Sequence, residues 1–170
     1  GAELDHYDYG EAAKTIRDFI WNEFCDWYIE LIKPRLYGKI SEESKAQAQA
    51  VAAWVLRETC VLLHSIMPFI TEEIWQHLPH DGQSIIVAKW PENTAGIHYQ
   101  EAYDKMVFFM DLVKAIRSMR HDMGIPTGKK SALQIHCHNA AQEAVNKAYE
   151  VQLKTLAYAE SVALLDDVAT

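Results

Sequence analysis

Two basic passages carry side chains whose chemistry suits a polyanion. The first is Lys33-Pro34-Arg35-Leu36-Tyr37, which closes an aromatic-rich stretch beginning at Phe19. The second pairs Arg117 and Arg120, one helical turn apart, with Lys129 and Lys130 beyond a glycine-containing turn. Guanidinium groups grip phosphates through a bidentate fork, and ammonium groups hold them as point charges. A tyrosine such as Tyr37 adds a face on which an unpaired base stacks. Cations at a helix C-terminus also complement the macrodipole without any ligand, and that plainer reading stands beside the first.

Other constellations are weaker. Gly124-Ile-Pro-Thr-Gly128-Lys129-Lys130-Ser131 resembles a phosphate loop, but that motif needs four residues between its glycines and should follow a strand. A flexible basic turn suits it better. His136-Cys137-His138 suggests a metal, yet on a strand the two histidines share a face that Cys137 opposes, so three ligands cannot converge. His64 lies on an apolar helix and reads as a satisfied core histidine. Glu72 and Glu73 diverge by about 100° on a helix, which makes them capping or salt-bridging groups rather than an acid–base pair. Asp26 and Glu30 share a face with no nucleophile expected beside them. No catalytic residue emerges.

Composition narrows the class. The chain has 170 residues, 49% of them hydrophobic, enough for a full core. No apolar run approaches the ~18 residues of a membrane span. Cys25, Cys60 and Cys137 are few and far apart, as expected of free thiols in a reducing compartment. The net charge of −8 opposes a general nucleic-acid binder and leaves room only for a local basic patch. Residues 114–130 supply one, while residues 1–30 are acidic.

These groups need elements to position them. Periodicity predicts a first helix from Tyr9 to Lys33, stopped by Pro34. At 100° per residue its Ile16, Ile20, Trp21, Phe24, Trp27, Tyr28, Leu31 and Ile32 fill an arc of roughly 160°, enough for two neighbours. A second helix opens at the N-cap Ser41 and runs to Ile66, where Pro68 breaks it and a short helix resumes to Leu78. Ser84–Trp90 reads as an extended piece, and Gln100–Met123 as a third long helix. Then Ala132–His138 alternates as a strand, Ala140–Ala157 is helical and Ser161–Leu165 is a second strand, together a parallel βαβ unit. The fold expected is mainly α: an antiparallel helical bundle over residues 1–95, then a linking helix and small α/β tail over 96–170.

Three segments resemble a known family. Trp21-Asn-Glu-Phe-Cys-Asp-Trp-Tyr-Ile-Glu30 with Lys33 is similar to the anticodon-binding bundle of valyl-tRNA synthetases. Leu62-Leu-His-Ser-Ile-Met-Pro-Phe-Ile-Thr-Glu-Glu-Ile-Trp75 resembles that family's Leu-Leu-His-Pro-Phe-Met-Pro-Phe-Ile-Thr-Glu-Glu-Ile-Trp. Ile116-Arg-Ser-Met-Arg120 with Gly124-Ile-Pro126 and Gly128-Lys129 is similar to its Arg-x-x-Arg…Pro-Gly-Lys passage. Ser65 departs from the usual proline, which should let the second helix run further. The segments span nearly the whole chain in the family's order.

The resemblance implies part of a cytoplasmic class I aminoacyl-tRNA synthetase that joins valine to its tRNA with ATP and magnesium. The family's His-Ile-Gly-His and Lys-Met-Ser-Lys-Ser motifs do not occur here, so the chain is expected to be non-catalytic and to hold no cofactor or metal. Its expected partners are valine-specific tRNA and the catalytic domain of the same polypeptide, with no membrane. Lys33, Arg35, Tyr37, Arg117, Arg120, Lys129 and Lys130 are the RNA-binding candidates. The chain is expected to start after the family's first bundle helix and to stop before its coiled-coil arm. The full enzyme would be a monomer, and the chain would self-associate through Trp21, Phe24, Tyr28 and Ile32. The equivalent domain of an isoleucyl enzyme, or a helical protein-interaction module without RNA, remain the alternatives.

Overall fold

The aromatic-rich stretch forms one helical rod from Tyr9 to Leu36, wound in two ways. α1 (Tyr9–Asp18) and α2 (Glu30–Leu36) are α-helical, and Phe19–Ile29 between them is π-helical. The computed structural model describes residues 9–91 and 99–165 of the chain. By internal packing the chain divides into Gly1–Ala95 and Gly96–Thr170, and residues 92–98 at that boundary lie outside the described part.

The π winding changes which side chains face inward. Its hydrogen bonds run i→i+5, so each residue turns through less than 100° and the α-helical arc no longer holds. Trp21 is 66% exposed, while Phe24 and Ile32 are buried and Phe24 stacks on Tyr28 at 5.6 Å between ring centres. α3 (Glu42–Leu63) packs against both α1 and α2 and covers them. The expected self-association patch therefore shrinks to Trp21. Pro34 does not stop the rod either, because it sits buried in the last turn of α2. Only the amide to Glu30 O is forfeited, and the π segment ends one residue before that carbonyl.

α3 begins at Ser41, whose hydroxyl accepts from Ser44 N at 3.1 Å. It ends at Leu63, earlier than Ile66. Residues 64–67 tighten into turns, with Ile66 N and Met67 N both donating to Leu63 O at 2.9 Å. Met67 precedes a proline and is pushed out of the helical region (φ −131°, ψ 67°). Ser65 therefore gains no extra turn. Pro68 opens α4 (Pro68–Gln76) at its first position, where its missing N–H costs nothing.

The expected extended piece at Ser84–Trp90 is instead a 3₁₀ turn, Ile85–Val87. Glu72 on α4 causes this: its carboxylate accepts from Ser84 Oγ at 2.8 Å and from Ile85 N at 3.1 Å. Ile85 is thereby drawn onto Cys60, Val61 and Trp75, the core where α3 and α4 meet. His64 is satisfied there. The Thr71 hydroxyl donates to Met67 O at 2.8 Å, leaving its lone pairs for His64 Nδ1–H at 2.8 Å.

In the second unit α5 (Gln100–Asp122) leads through a turn to β1 (Ser131–His136), α6 (Ala140–Ala148), α7 (Glu150–Leu156) and β2 (Ala159–Leu165). β1 and β2 pair in parallel, with Leu133 against Val162 and Ile135 against Leu164. Asn139 caps α6 by accepting from Gln142 N at 2.9 Å. The single helix expected over 140–157 breaks at Tyr149 (φ −111°, ψ 23°), whose ring packs on Phe109. Mainly helical, with a two-stranded parallel tail, is the architecture. Among the described residues no helix is long and apolar enough to cross a membrane.

Candidate nucleic-acid interface

The first basic passage lies at the end of α2, where a Schellman turn fixes the backbone. Lys39 N donates to Pro34 O at 2.9 Å and Gly38 N to Arg35 O at 3.2 Å, with Gly38 at φ +72°. The turn sorts the side chains. Arg35 folds back onto the start of α3, its Nε reaching Ser44 Oγ at 2.8 Å and its Nη2 reaching Ser44 O at 2.9 Å. Beside it Tyr28 donates to Ala48 O at 3.3 Å, and burial raises the Tyr28 phenol above its ordinary value against the opposing Arg35 charge. Lys33 pairs with Glu30 on its own helix. Tyr37 points away and is 74% exposed, with exposed Lys39 two residues on. The structure thus leaves Tyr37 outward, half-covers Lys33 and assigns Arg35 a bracing role.

The second passage repeats the turn at the end of α5. Ile125 N donates to Arg120 O and Gly124 N to His121 O, both at 2.9 Å, with Gly124 at φ +65°. Arg120, expected at the surface, is only 6% exposed. Its guanidinium donates to Ser131 Oγ at 2.6 Å, to Pro126 O at 3.2 Å and to Lys129 O. The loop expected to be flexible is therefore wrapped around a cation, its carbonyls turned inward. Arg120 is corrected from a phosphate contact to the internal organiser of residues 125–131, favoured by the negative end of α5.

Arg117 keeps an exposed position, although its Nε donates to Leu156 O at 2.8 Å. Both guanidinium carbons lie over the Tyr158 ring, Arg117 at 5.7 Å and Arg120 at 5.9 Å from its centre. Tyr158 holds a left-handed backbone (φ 54°), unusual for a ring-bearing residue. Sequence reading missed Tyr158, and nothing local in the chain announces it. Lys129 and Lys130 remain exposed, and their ammonium groups have no partner among the described residues. Lys39 was also missed, though its place just after Tyr37-Gly38 was a usable signal.

The other candidates settle into ordinary roles. Glu72 holds the 3₁₀ turn, and Glu73 lies 3.9 Å from His77. Cys137 Sγ accepts from Asn146 at 3.4 Å, and the His136 and His138 rings meet edge to face. Burial raises the Cys60 thiol above its ordinary value, so it is unreactive packing.

With this geometry in view, relatives place the chain. A family described as the anticodon-binding domain of tRNA ligase matches residues 2–137, which ends just after β1. Valine–tRNA ligase of Bacillus cereus is 43% identical over 138 residues, 81% of this chain and 16% of that protein. The enzyme of Carboxydothermus hydrogenoformans is 48% identical over 129 residues, and that of Geobacillus kaustophilus 43% over 148. They cover 76% and 85% of this chain, and 14% and 17% of the respective proteins. The chain thus spans about one-sixth of the length of the relatives it matches. With its rod, its covering helix and its 62–75 segment all inside the matched residues, the chain belongs to the family of anticodon-binding domains of tRNA ligases.

Proposed function

We propose that this chain is the tRNA-positioning part of a cytoplasmic valine–tRNA ligase, a monomer whose catalytic domain uses ATP and magnesium elsewhere in the same polypeptide. The observation that carries this is the 43–48% identity to valine–tRNA ligases over most of the chain. Within it, Tyr37 would stack on an unpaired base of the anticodon loop, with Lys33 and Lys39 beside it. Arg117, Lys129 and Lys130 would hold phosphates by charge. Arg35 and Arg120 would serve indirectly, by fixing the turns that present those groups. The chain itself carries no cofactor in this reading and performs no adenylate chemistry.

Filter binding of valine tRNA at several salt concentrations tests it. Three cations on phosphates give a log–log slope of roughly −2 to −3. Replacing Lys129 and Lys130 together by alanine should flatten it by about 1.4–1.8 and weaken all tRNAs alike. Replacing Tyr37 should instead erode the preference for the valine anticodon. No detectable binding of any tRNA at low salt sinks the proposal.

A further inference from the structure

One face of α3 opens onto a cavity of about 390 Å³ whose lining includes no residue of either basic passage. Trp54, Arg57 and Glu58 line it at helical spacing, joined by Trp75 of α4 and by Lys89-Trp90 beyond the 3₁₀ turn. Trp75 is 2% exposed, but Trp54 is 53% and Trp90 47% exposed. Indole rings half-exposed around one cavity offer faces on which a flat ring can stack. Cavities that hold small ligands start near 300 Å³, so there is room here for about one nucleotide.

The polar groups narrow the occupant. Arg57 donates to Glu58 Oε1 through Nε at 3.1 Å and Nη2 at 2.8 Å, which fixes the carboxylate beside the rings. Both of these bonds fall on Oε1 of Glu58. With Asp81, also lining the cavity, this carboxylate offers acceptors to an N–H edge, while Arg57 and Lys89 supply the balancing charge. Lys89 stands exposed next to Trp90. We infer that this cavity takes one unpaired nucleobase of single-stranded RNA, its ring on Trp54 and Trp90, its amino edge toward Glu58 and its backbone toward Lys89. The site rests on the RNA-binding reading and adds a base contact separate from Tyr37. An exocyclic amino group suits Glu58, so cytosine, adenine or guanine is preferred over uracil.

The test uses the 170-residue chain and five-nucleotide RNAs whose flanks are uridine and whose centre is cytidine, adenosine, uridine or an abasic site. Binding is followed by quenching of indole fluorescence. The cytidine- and adenosine-centred strands should bind about 5- to 150-fold tighter than the abasic one. Trp54→Ala and Trp90→Ala should each abolish that margin with the salt slope unchanged, and Trp21→Ala should keep it. Glu58→Gln should narrow the margin over uridine. Equal binding of the base-bearing and abasic strands by the wild type overturns the site even if a variant fails to fold, and so does a margin that survives both tryptophan changes. Valine tRNA binding that still depends on Lys129 and Lys130 would then leave the proposed function standing. A wild type that binds neither the short RNAs nor tRNA sinks both.

Discussion

The ends of α2 and α5 are built alike. Each closes in a Schellman turn on a left-handed glycine, Gly38 or Gly124, and each carries an arginine in its last turn. They differ in what the arginine reaches. Arg35 is half-buried and clips α2 to the first turn of the next helix through Ser44. Arg120 is buried and organises a loop through three oxygens and the Tyr158 ring. In both places the guanidinium satisfies backbone carbonyls, and the groups left facing outward are Tyr37 and Lys39 at one end and Lys129 and Lys130 at the other. Five donors in a rigid fork suit an arginine to joining several carbonyls, a task a lysine performs poorly. A count of cations along a chain therefore overstates what is available to a phosphate.

The sharpest way to separate the two ends is to remove each arginine. Arg120→Ala should destabilise the second unit by about 3 kcal/mol, because a buried side chain is lost and the Pro126 and Lys129 carbonyls and Ser131 lose a charged donor at once. Urea unfolding measures it, and a loss near zero would show that the loop holds itself. Arg35→Ala should cost less, about 1–2 kcal/mol, since Arg35 is itself only half-buried and a single residue, Ser44, loses its donor. Equal losses at the two positions would break the comparison. Gly38→Ala and Gly124→Ala should each cost roughly 1 kcal/mol, through backbone conformation alone, because no atom lies within 4 Å of an added Cβ at either. Thermal melts check that, and a markedly larger cost at one site would reveal a contact the other lacks.

The smallest effect lies outside both turns, at Glu72. Hydrogen bonds from Gln76, then Ser84 and Ile85, hold its carboxyl below the ordinary value of 4.5. A depressed folded pKa contributes stability above the unfolded value, and that contribution fades as pH falls through the folded pKa. Wild type minus Glu72→Gln should therefore show a small stability difference at pH 6 that shrinks below about pH 4.5. A difference that does not change with pH would sink the assignment.

Much of the fold was legible where one local device decides the outcome. Ser41 as a cap, Pro68 as the break between two helices and the alternation before His136 all act over a few residues, and the parallel βαβ followed from strand–helix–strand order. What escaped notice depends on distant partners. The 100° rule could not foresee π winding at Phe19–Ile29, and Pro34 looked terminal only because its amide mattered more on paper than in a buried last turn. Ser84–Trp90 has the composition of a strand, but Glu72 bends it. In the site, the residue types were legible and their directions were not. Whether Arg120 points to water or to Ser131 is decided by a loop eleven residues away and by a ring on Tyr158.

The parallel pairing of the tail also sets an order of events as the chain is made. A hairpin can close as soon as its second strand emerges, but Ser131 pairs with Ala159, made roughly 28 residues later. At about 5–20 residues per second, β1 waits roughly 1–6 s for its partner. During that interval Leu133 and Ile135 have no strand to face, whereas α1, α2 and α3 can already pack as sequence neighbours. Translation speed across residues 137–158 thus bears on the yield of correctly paired tail and leaves the first unit untouched.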